Sequence, residues 1–226
     1  MKYKKVVKGK FLSRPNRFIA HVEIDGRVEI CHVKNTGRCR ELLVPGATVY
    51  LEQSDNPARS TKYDLIAVEK GTTLINMDSQ APNKVIYEWI KTGGLFQNIT
   101  LFKPEAVYGD SRFDLYLEAG GEKIFAEVKG VTLENDGVAM FPDAPTERGV
   151  KHITELVKAT GSGYKAYVFF VIQMDECSYF TPNTATHPQF ATALKAAAEQ
   201  GVNIIALTCH VEPDSLVIKD CVEVKL

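Results

Sequence analysis

The sequence predicts a mixed α/β protein in two parts, a small N-terminal β-barrel over residues 1–80 and an α/β domain over residues 81–226. Short β-rich segments separated by turns fill the first third of the chain, whereas amphipathic helices alternate with apolar strands beyond it. The length of 226 residues also lies between that of one large domain and that of two small ones.

The N-terminal part contains five strand-like segments. After the third segment, Arg38 to Leu43 has the composition of one short helical turn. Asp25-Gly26 joins two of these segments and is a strong signal for a tight hairpin turn. Pro45-Gly46 then interrupts the chain before the fourth segment. This order is that of a five-stranded OB-fold, and a small SH3-like barrel fits almost as well. The expected strands cover residues 10–13, 18–24, 28–33, 48–52 and 63–69.

The C-terminal part alternates between helical and strand periodicity. A helix is expected over residues 84–92, because its apolar residues share one face and Gly93-Gly94 follows. Two strands joined across Gly120-Gly121 come next, and Thr146 is a candidate N-cap for a second helix. Strand, helix and strand alternation favours a sheet covered by helices. The expected later elements are strands at 112–118, 123–131, 165–172, 203–208, 216–218 and 222–224, and helices at 146–160 and 188–200.

Charge is distributed unevenly along the chain. Residues 1–40 hold eleven Lys and Arg against three acids, which gives +8 there and leaves −9 for the remainder. This asymmetry favours a basic N-terminal surface for a polyanion beside an acidic region that holds cations. An ordinary solvated, lysine-rich edge is the alternative.

Several classes of protein are disfavoured by composition. The longest apolar runs, such as residues 166–172, are far shorter than the roughly 20 residues that span a bilayer. No apolar stretch follows the charged N-terminus, so we expect a cytoplasmic protein without a secretory signal or membrane contact. Five cysteines without a Cys-x-x-Cys pair, and five scattered histidines, favour reduced structural thiols over disulfides or zinc.

Asp114, Glu127, Val128 and Lys129 form the most informative cluster. Side chains two apart on a strand share a face, so Glu127 and Lys129 project together, and Asp114 lies across the expected hairpin. Carboxylates among apolar neighbours need neutralisation, which Mg²⁺ or Mn²⁺ would supply with the Val128 carbonyl as a further ligand. Lys129 would orient a metal-activated water for phosphodiester hydrolysis. A simple ion pair between Glu127 and Lys129 is the alternative.

The order of elements in the C-terminal part is helix, strand, strand, helix, strand, with an acid on each of the first two strands. This order resembles the core of the PD-(D/E)xK nucleases, the restriction-endonuclease-like superfamily. Phe113 stands where the name-giving proline precedes the first Asp of that motif. In resolvase-like members an acid on the first helix is a further metal ligand, which makes Glu88 a fourth candidate for the catalytic and metal site. A solvent-facing helical glutamate is the alternative for Glu88.

Two basic regions are candidates for contact with nucleic acid. Near the N-terminus, arginines are interleaved with Phe11 and Phe18, an arrangement suited to following a strand backbone and stacking bases. Aromatic residues on strands are more often buried, so Phe18 is also expected in the core. On the helix after Thr146, Arg148 and His152 lie four residues apart, near a helix N-terminus that suits phosphate. A solvated helix face, or a histidine at the edge of the core, is the alternative there. The basic residues concerned are Arg14, Arg17, Lys34, Arg38, Arg40, Arg148 and Lys151.

Six ordered blocks make nearly the whole chain resemble the sugar fermentation stimulation protein A family. The resemblance implies an OB-fold-like domain, a nuclease-like domain, nonspecific DNA binding and a proposed regulatory link to sugar (maltose) utilisation. Asn16, Asn35 and Thr36 lie in these blocks and complete the set of candidate DNA contacts. The blocks are residues 14–20, 35–38, 42–46, 111–114, 127–133 and 141–156.

Two functions from different classes therefore follow from the sequence. The first is a Mg²⁺- or Mn²⁺-dependent nuclease that acts on DNA without sequence specificity. The second is a noncatalytic DNA-binding regulatory protein linked to sugar metabolism. No helix-turn-helix signature supports strong sequence recognition. A protein without salt-dependent DNA binding would instead be a small-ligand or protein-interaction module, and a homodimer is allowed as a further assembly.

Overall fold

The computed structural model describes residues 1–226, and its N-terminal part is a closed β-barrel. The strand order is β3-β2-β1-β4-β5-β6, and an additional pairing of β3 with β5 closes the barrel of the first five strands. The expected five-stranded OB-type barrel is thereby confirmed, with β6 as an added hairpin partner of β5. The strands are β1 Val6–Asn16, β2 Ile19–Ile24, β3 Arg27–Val33, β4 Thr48–Gln53, β5 Tyr63–Lys70 and β6 Thr73–Asn76.

Local signals explain the turns of the barrel. Asp25 and Gly26 both have positive φ, 50° and 74°, as a two-residue type I′ hairpin requires. The segment predicted as a helical turn forms one irregular turn, in which the Leu43 N–H donates to the Cys39 carbonyl over 3.0 Å. Cys39 there has a φ of 43°, which stops the turn from propagating as a right-handed helix.

The C-terminal part is a nine-stranded mixed sheet with three helices. The strand order is β10-β11-β13-β15-β14-β12-β9-β8-β7, with β12 parallel to both β9 and β14. The helices are α1 Ala81–Lys91, α2 Glu147–Gly161 and α3 Pro188–Glu199. The strands are β7 Ile99–Tyr108, β8 Ser111–Ala119, β9 Glu122–Val131, β10 Leu133–Asn135, β11 Val138–Phe141, β12 Lys165–Ile172, β13 Tyr179–Pro182, β14 Val202–Glu212 and β15 Ser215–Val224.

The helices cover opposite faces of this sheet. Helix α1 buries Ile86 and Ile90 in one cluster, whereas α2 buries Ile153 and Leu156 in the other. Each fully buried side chain of this size contributes about 1.5–3 kcal/mol from transfer out of water. The Thr146 hydroxyl accepts the Gly149 N–H, so Thr146 is the N-cap of α2, as expected. None of the three helices has the length and apolar character needed to cross a membrane.

The structure corrects several expected elements. Strand β7 was not predicted, and neither were the short strands β10, β11 and β13. The two short final segments are one strand, β15, which pairs with β14 through an irregularity near Cys209. Helix α1 begins at Ala81 rather than Lys84, because Pro82 is accommodated in its first turn. The added strands extend the sheet at its edges and leave the central order of elements unchanged.

A buried polar network joins the two parts. The Gln173 side-chain amide donates to Asn76 Oδ1 over 2.9 Å and to the Asp78 carbonyl over 3.1 Å. The Asn76 amide in turn donates to the Tyr3 hydroxyl over 3.0 Å. The first three residues also lie along the start of β15: the Leu216 N–H donates to the Met1 carbonyl, and the Tyr3 N–H donates to the carbonyl of Asp214 in the preceding turn. Because buried polar groups are costly when unpaired, this network fixes the barrel against the sheet.

Candidate active site

Strands β8 and β9 separate at Asp114, which creates the centre of the site. Their ladder ends at the pair Leu115 and Ala126. Beyond it, Asp114 Oδ2 accepts the main-chain N–H of Val128 over 2.8 Å, and Asn83 of α1 donates to Oδ1 over 3.0 Å. The N–H and C=O of one strand residue point to the same side, so the Val128 carbonyl faces the same opening as the Asp114 carboxylate.

Glu127 and Lys129 project to a common face, as the alternation of the strand predicts. Lys129 Nζ lies 2.6 Å from Glu127 Oε1, and the Glu127 side chain is almost completely buried. His152 of α2 contacts the same oxygen through Nδ1 at 2.5 Å. The other carboxylate oxygen, Glu127 Oε2, is buried without a hydrogen-bond partner. An orphaned carboxylate oxygen of this kind is a position where a cation would be held.

The two carboxylates are electrostatically opposed. Burial and the charge of Glu127 raise the pKa of Asp114 above its ordinary value, despite the hydrogen bond from the Val128 N–H. Burial also disfavours ionised Glu127, but hydrogen bonds from His152 and Lys129 outweigh it and keep the Glu127 pKa below its usual value. A buried and a half-buried acid that repel each other beside an orphaned oxygen are suited to a divalent cation.

The residues present fit a metal with few protein ligands. No group of three His, Cys, Asp or Glu side chains is arranged to hold a metal ion. The available oxygens are those of Asp114, Glu127 and the Val128 carbonyl, which leaves the remaining positions to water and a phosphate. Mg²⁺ commonly binds in this way, through one or two carboxylates and several waters.

Glu88 does not join this cluster. Its side chain is 60% exposed and lies 2.7 Å from the N-terminal ammonium of Met1. That ammonium donates to the Leu216 carbonyl on β15, and β15 is three strands from β9 in a sheet with about 4.8 Å between strands. The proposal of Glu88 as a catalytic or metal-binding residue is therefore wrong. Asn83 and Tyr87 are the residues of α1 that contact Asp114.

His152 belongs to the core and not to a nucleic-acid surface. It is 6% exposed, which supports the alternative of a histidine at the edge of the core. Its Nε2 accepts from Arg148 Nε over 3.4 Å, so its Nδ1 carries the proton donated to Glu127. Arg148 and Lys151 are exposed on the same helix, and Lys151 donates to the Asp110 carbonyl over 3.2 Å. Of the α2 candidates, only these two remain available to phosphate.

The N-terminal candidates surround a concavity of about 520 Å³, here called the arginine groove. Arg17 and Arg38 are exposed in it, as are Asn16 and Thr36. Phe18 is 43% exposed beside the groove, contrary to its expected place in the core, whereas Phe11 is buried. The Arg17 guanidinium lies 4.7 Å from the centre of the Phe18 ring. The groove is lined by residues 11–14, 16, 17, 36–40, 43 and 45 and contains no acid.

Three of the expected DNA contacts also have structural tasks. The Arg14 guanidinium donates to four main-chain carbonyls, at 2.7–2.9 Å, and so fixes the loop after β3. Asn16 Oδ1 accepts the N–H groups of Phe18 and Ile19 in the turn between β1 and β2. Asn35 Oδ1 accepts the N–H of Gly37. These hydrogen bonds shape the groove and occupy the Arg14 donors that a phosphate would require.

A second concavity, here called the interdomain cleft, lies between the barrel and the sheet. Its volume is about 330 Å³, and it contains residues 35–37, 79, 130–133, 140–146 and 173. Gly130 follows Lys129 directly on β9, and Thr146 caps the helix that carries His152, so two residues of the cleft belong to the elements that form the acidic site. The Arg38 N–H donates to Asp143 Oδ2 over 3.0 Å at the entrance. Thr36 and Gly37 line both the cleft and the arginine groove.

Comparisons with known proteins agree with this two-part organisation. The model of the SfsA N-terminal OB domain matches residues 12–77, and that of the sugar fermentation stimulation protein RE domain matches residues 80–215. A sugar fermentation stimulation protein homolog of Clostridium beijerinckii is 60% identical over the full length of both chains. The homolog of Ruminiclostridium cellulolyticum is 61% identical, also over both full lengths.

A solved structure extends the match to three dimensions. Pyrococcus furiosus SfsA, described in complex with Ca²⁺, superimposes with a TM-score of 0.92 at 31% identity. The alignment covers 100% of this chain and 98% of that one. The two family models thus match both parts of the chain, and the solved structure matches its fold over the full length. The chain belongs to the SfsA family of sugar fermentation stimulation proteins.

Proposed function

We propose that the protein hydrolyses phosphodiester bonds of nucleic acid, DNA in the first instance, with a divalent cation at Asp114, Glu127 and the Val128 carbonyl. The observation that carries the proposal is the buried, unpartnered Glu127 Oε2 near a second, half-buried carboxylate, that of Asp114. A buried carboxylate oxygen without a partner costs free energy that a cation would offset. The Ca²⁺ in the Pyrococcus furiosus relative supports a hard-cation site in this fold.

Each residue has a distinct task in this reaction. Mg²⁺ or Mn²⁺, when bound, acidifies water and neutralises charge on the phosphate. Asp114 is held at the opening by Val128 and Asn83, and Glu127 is held by His152, so both carboxylates are oriented in advance. Lys129, 2.6 Å from Glu127, can donate to an attacking water or to a phosphate oxygen. The exposed Arg148 lies on the same side and suits the flanking phosphate.

The proposal is tested with purified protein, Mn²⁺ and labelled single-stranded, duplex and branched DNA. Wild type should cleave at least one substrate, and Asp114→Asn and Lys129→Ala should each lower the rate by about 100-fold or more. Asp136→Asn is a matched control, because Asp136 is an exposed acid in the β10–β11 turn. Wild type and variants that are equally inert on all substrates would contradict hydrolysis.

A noncatalytic, DNA-binding regulatory protein is the second candidate. The ion pair of Lys129 with Glu127 favours it, since the ammonium neutralises one carboxylate without a metal. The link to sugar (maltose) use rests on the family's name and resemblance. This function predicts metal-independent binding that weakens with salt, with a slope near −0.9 per phosphate contacted on duplex DNA. Binding of this kind without cleavage under any metal would favour it over the nuclease.

A further inference from the structure

The arginine groove and the interdomain cleft are neighbouring concavities. Both are bordered by Thr36 and Gly37, which lie on the loop between β3 and β4. The groove is on the barrel, and the cleft reaches Gly130, next to Lys129. A polymer that lay in the groove and crossed Thr36 and Gly37 would therefore approach the main chain beside Lys129.

The groove has the charge and the flat surface that a polynucleotide strand requires. Arg17, Arg38 and Arg40 are exposed there without a carboxylate partner. Phe18 is 43% exposed, and the Arg17 guanidinium covers one side of its ring. Exposed aromatic and guanidinium planes bind bases by stacking, and nearby cations bind the backbone. A duplex keeps its bases stacked on one another, so only unpaired bases can use this surface.

The cleft is also too confined for a duplex. Its volume of about 330 Å³ lies near the lower end of the roughly 300–1,000 Å³ found for small-molecule pockets. The hydrogen bond from the Arg38 N–H to Asp143 Oδ2 connects the two walls at the entrance. Contact between these walls is close, because a Cβ on Gly37 would lie 2.6 Å from Asp143 Oδ2. A B-DNA duplex is larger than this cleft, because its major groove alone is about 12 Å wide.

We propose that the substrate is single-stranded nucleic acid, or a single-stranded tail, which stacks at Phe18 and Arg17 and passes over Thr36 and Gly37 to the acidic site. This inference rests on the proposed hydrolysis for its second half only. Binding in the groove needs neither a metal nor Asp114, so the two claims can fail separately.

Fluorescence anisotropy in EDTA tests the inference with the full-length protein. The probes are labelled oligo(dT) and oligo(U) of about 16 nucleotides, and a blunt hairpin duplex of the same length. Single strands should bind about tenfold more tightly than the duplex. Preference for oligo(dT) or oligo(U) would identify DNA or RNA as the source of the strand, and either result supports the inference. Equal or tighter binding of the blunt duplex would overturn it.

Matched variants locate the interaction. Phe18→Ala should weaken single-strand binding about 5- to 150-fold, the range expected when one stacked base is lost. Ile30→Ala, which removes another exposed apolar side chain from the barrel, should leave it unchanged. Arg17→Ala should weaken binding, whereas Arg27→Ala, at the start of β3 and at the other end of β2 from Arg17, should not. Equal effects of Phe18→Ala and Ile30→Ala would exclude the groove.

Cleavage of a tailed duplex with Mn²⁺ separates this inference from the proposed hydrolysis. Cuts confined to the tail support both claims. Cuts within a blunt duplex, at a rate equal to that in single strands, would overturn the inference and leave hydrolysis standing. Selective single-strand binding without any cleavage would support the inference and contradict hydrolysis.

Discussion

His152 Nδ1 lies 2.5 Å from Glu127 Oε1, so a buried imidazole on α2 supports a buried carboxylate on β9. The same oxygen accepts from Lys129, which leaves Glu127 Oε2 as the unpartnered atom. Hydrogen bonds behind a metal-binding carboxylate fix its orientation and commonly change metal affinity or activity by about 10- to 100-fold. His152 is thus a positioning residue for Glu127.

Substitution of His152 should separate positioning from simple packing. His152→Ala should lower Mn²⁺ affinity or cleavage by about 10- to 100-fold. His152→Asn keeps a donor near the position of Nδ1 and should recover part of this loss, whereas His152→Gln places its amide near Nε2 and should not. Mn²⁺ titration by calorimetry and cleavage rates measure the effect. Equal losses in the Asn and Gln variants would indicate that His152 only fills space.

Asp114→Asn should stabilise the metal-free protein while it abolishes cleavage. Because burial and Glu127 raise the folded-state pKa of Asp114, its ionised form opposes folding above that pKa. The cost is absent below the unfolded-state pKa and develops as pH rises through the folded-state pKa. Thermal unfolding in EDTA should therefore give a higher Tm for the variant at neutral pH, with the difference vanishing in acid. A lower Tm at neutral pH would contradict this electrostatic assignment.

Gly130→Ala should destabilise the protein and disturb the active site. A Cβ at this position would lie 2.6 Å from Gln173 Oε1 and 2.8 Å from Pro82 Cγ. Overpacking of this kind costs about 1–3 kcal/mol, and a shift of β9 would displace the adjacent Lys129. Gly161→Ala is the control, since nothing lies within 4 Å and alanine favours the last turn of α2. Denaturant unfolding of both variants measures the difference, and equal stability would contradict the packing at Gly130.

Arg14 and Arg17 should respond differently to alanine. Arg14→Ala removes the donor to four main-chain carbonyls and should cost about 3 kcal/mol or more, given about 1.5–3 kcal/mol per hydrogen bond to a charged group. Arg17→Ala should change stability by about 0.5 kcal/mol at most. It should instead reduce the salt slope of single-strand binding by about 0.7, as expected for one lost phosphate contact. Unfolding and salt titrations test both, and the reverse pattern would contradict these roles.

Most of the central fold followed from hydrophobic periodicity, and the missing strands have physical reasons. Strand β12 was predicted with its observed bounds, because a strand buried on both faces is a continuous apolar run. Strand β7 is an edge strand in which Leu101 and Val107 are exposed and Pro104 interrupts the pattern, so no alternation marks it. Short strands such as β10 and β13 contain too few residues to show a period.

The site residues that lie on one strand or one hairpin were predictable from strand geometry. The contacts between elements distant in sequence were not. Alternation on β9 places Glu127 and Lys129 together, and the hairpin brings Asp114 near them. Glu88 was misplaced because the position of the N-terminus over β15 is a long-range feature. His152 is in register with the apolar stripe of Ile153 and Leu156, a signal that favoured the core over the surface.

Anomalous diffraction from crystals grown with Mn²⁺ tests the central claim most directly. We expect a manganese peak within coordination distance of Asp114, Glu127 Oε2 and the Val128 carbonyl, about 2.0–2.2 Å for such oxygen ligands of a small divalent cation. The Asp114→Asn crystal should lose this peak. A site without manganese density in the wild-type protein, with Glu127 still bound only by Lys129 and His152, would contradict the metal-dependent account.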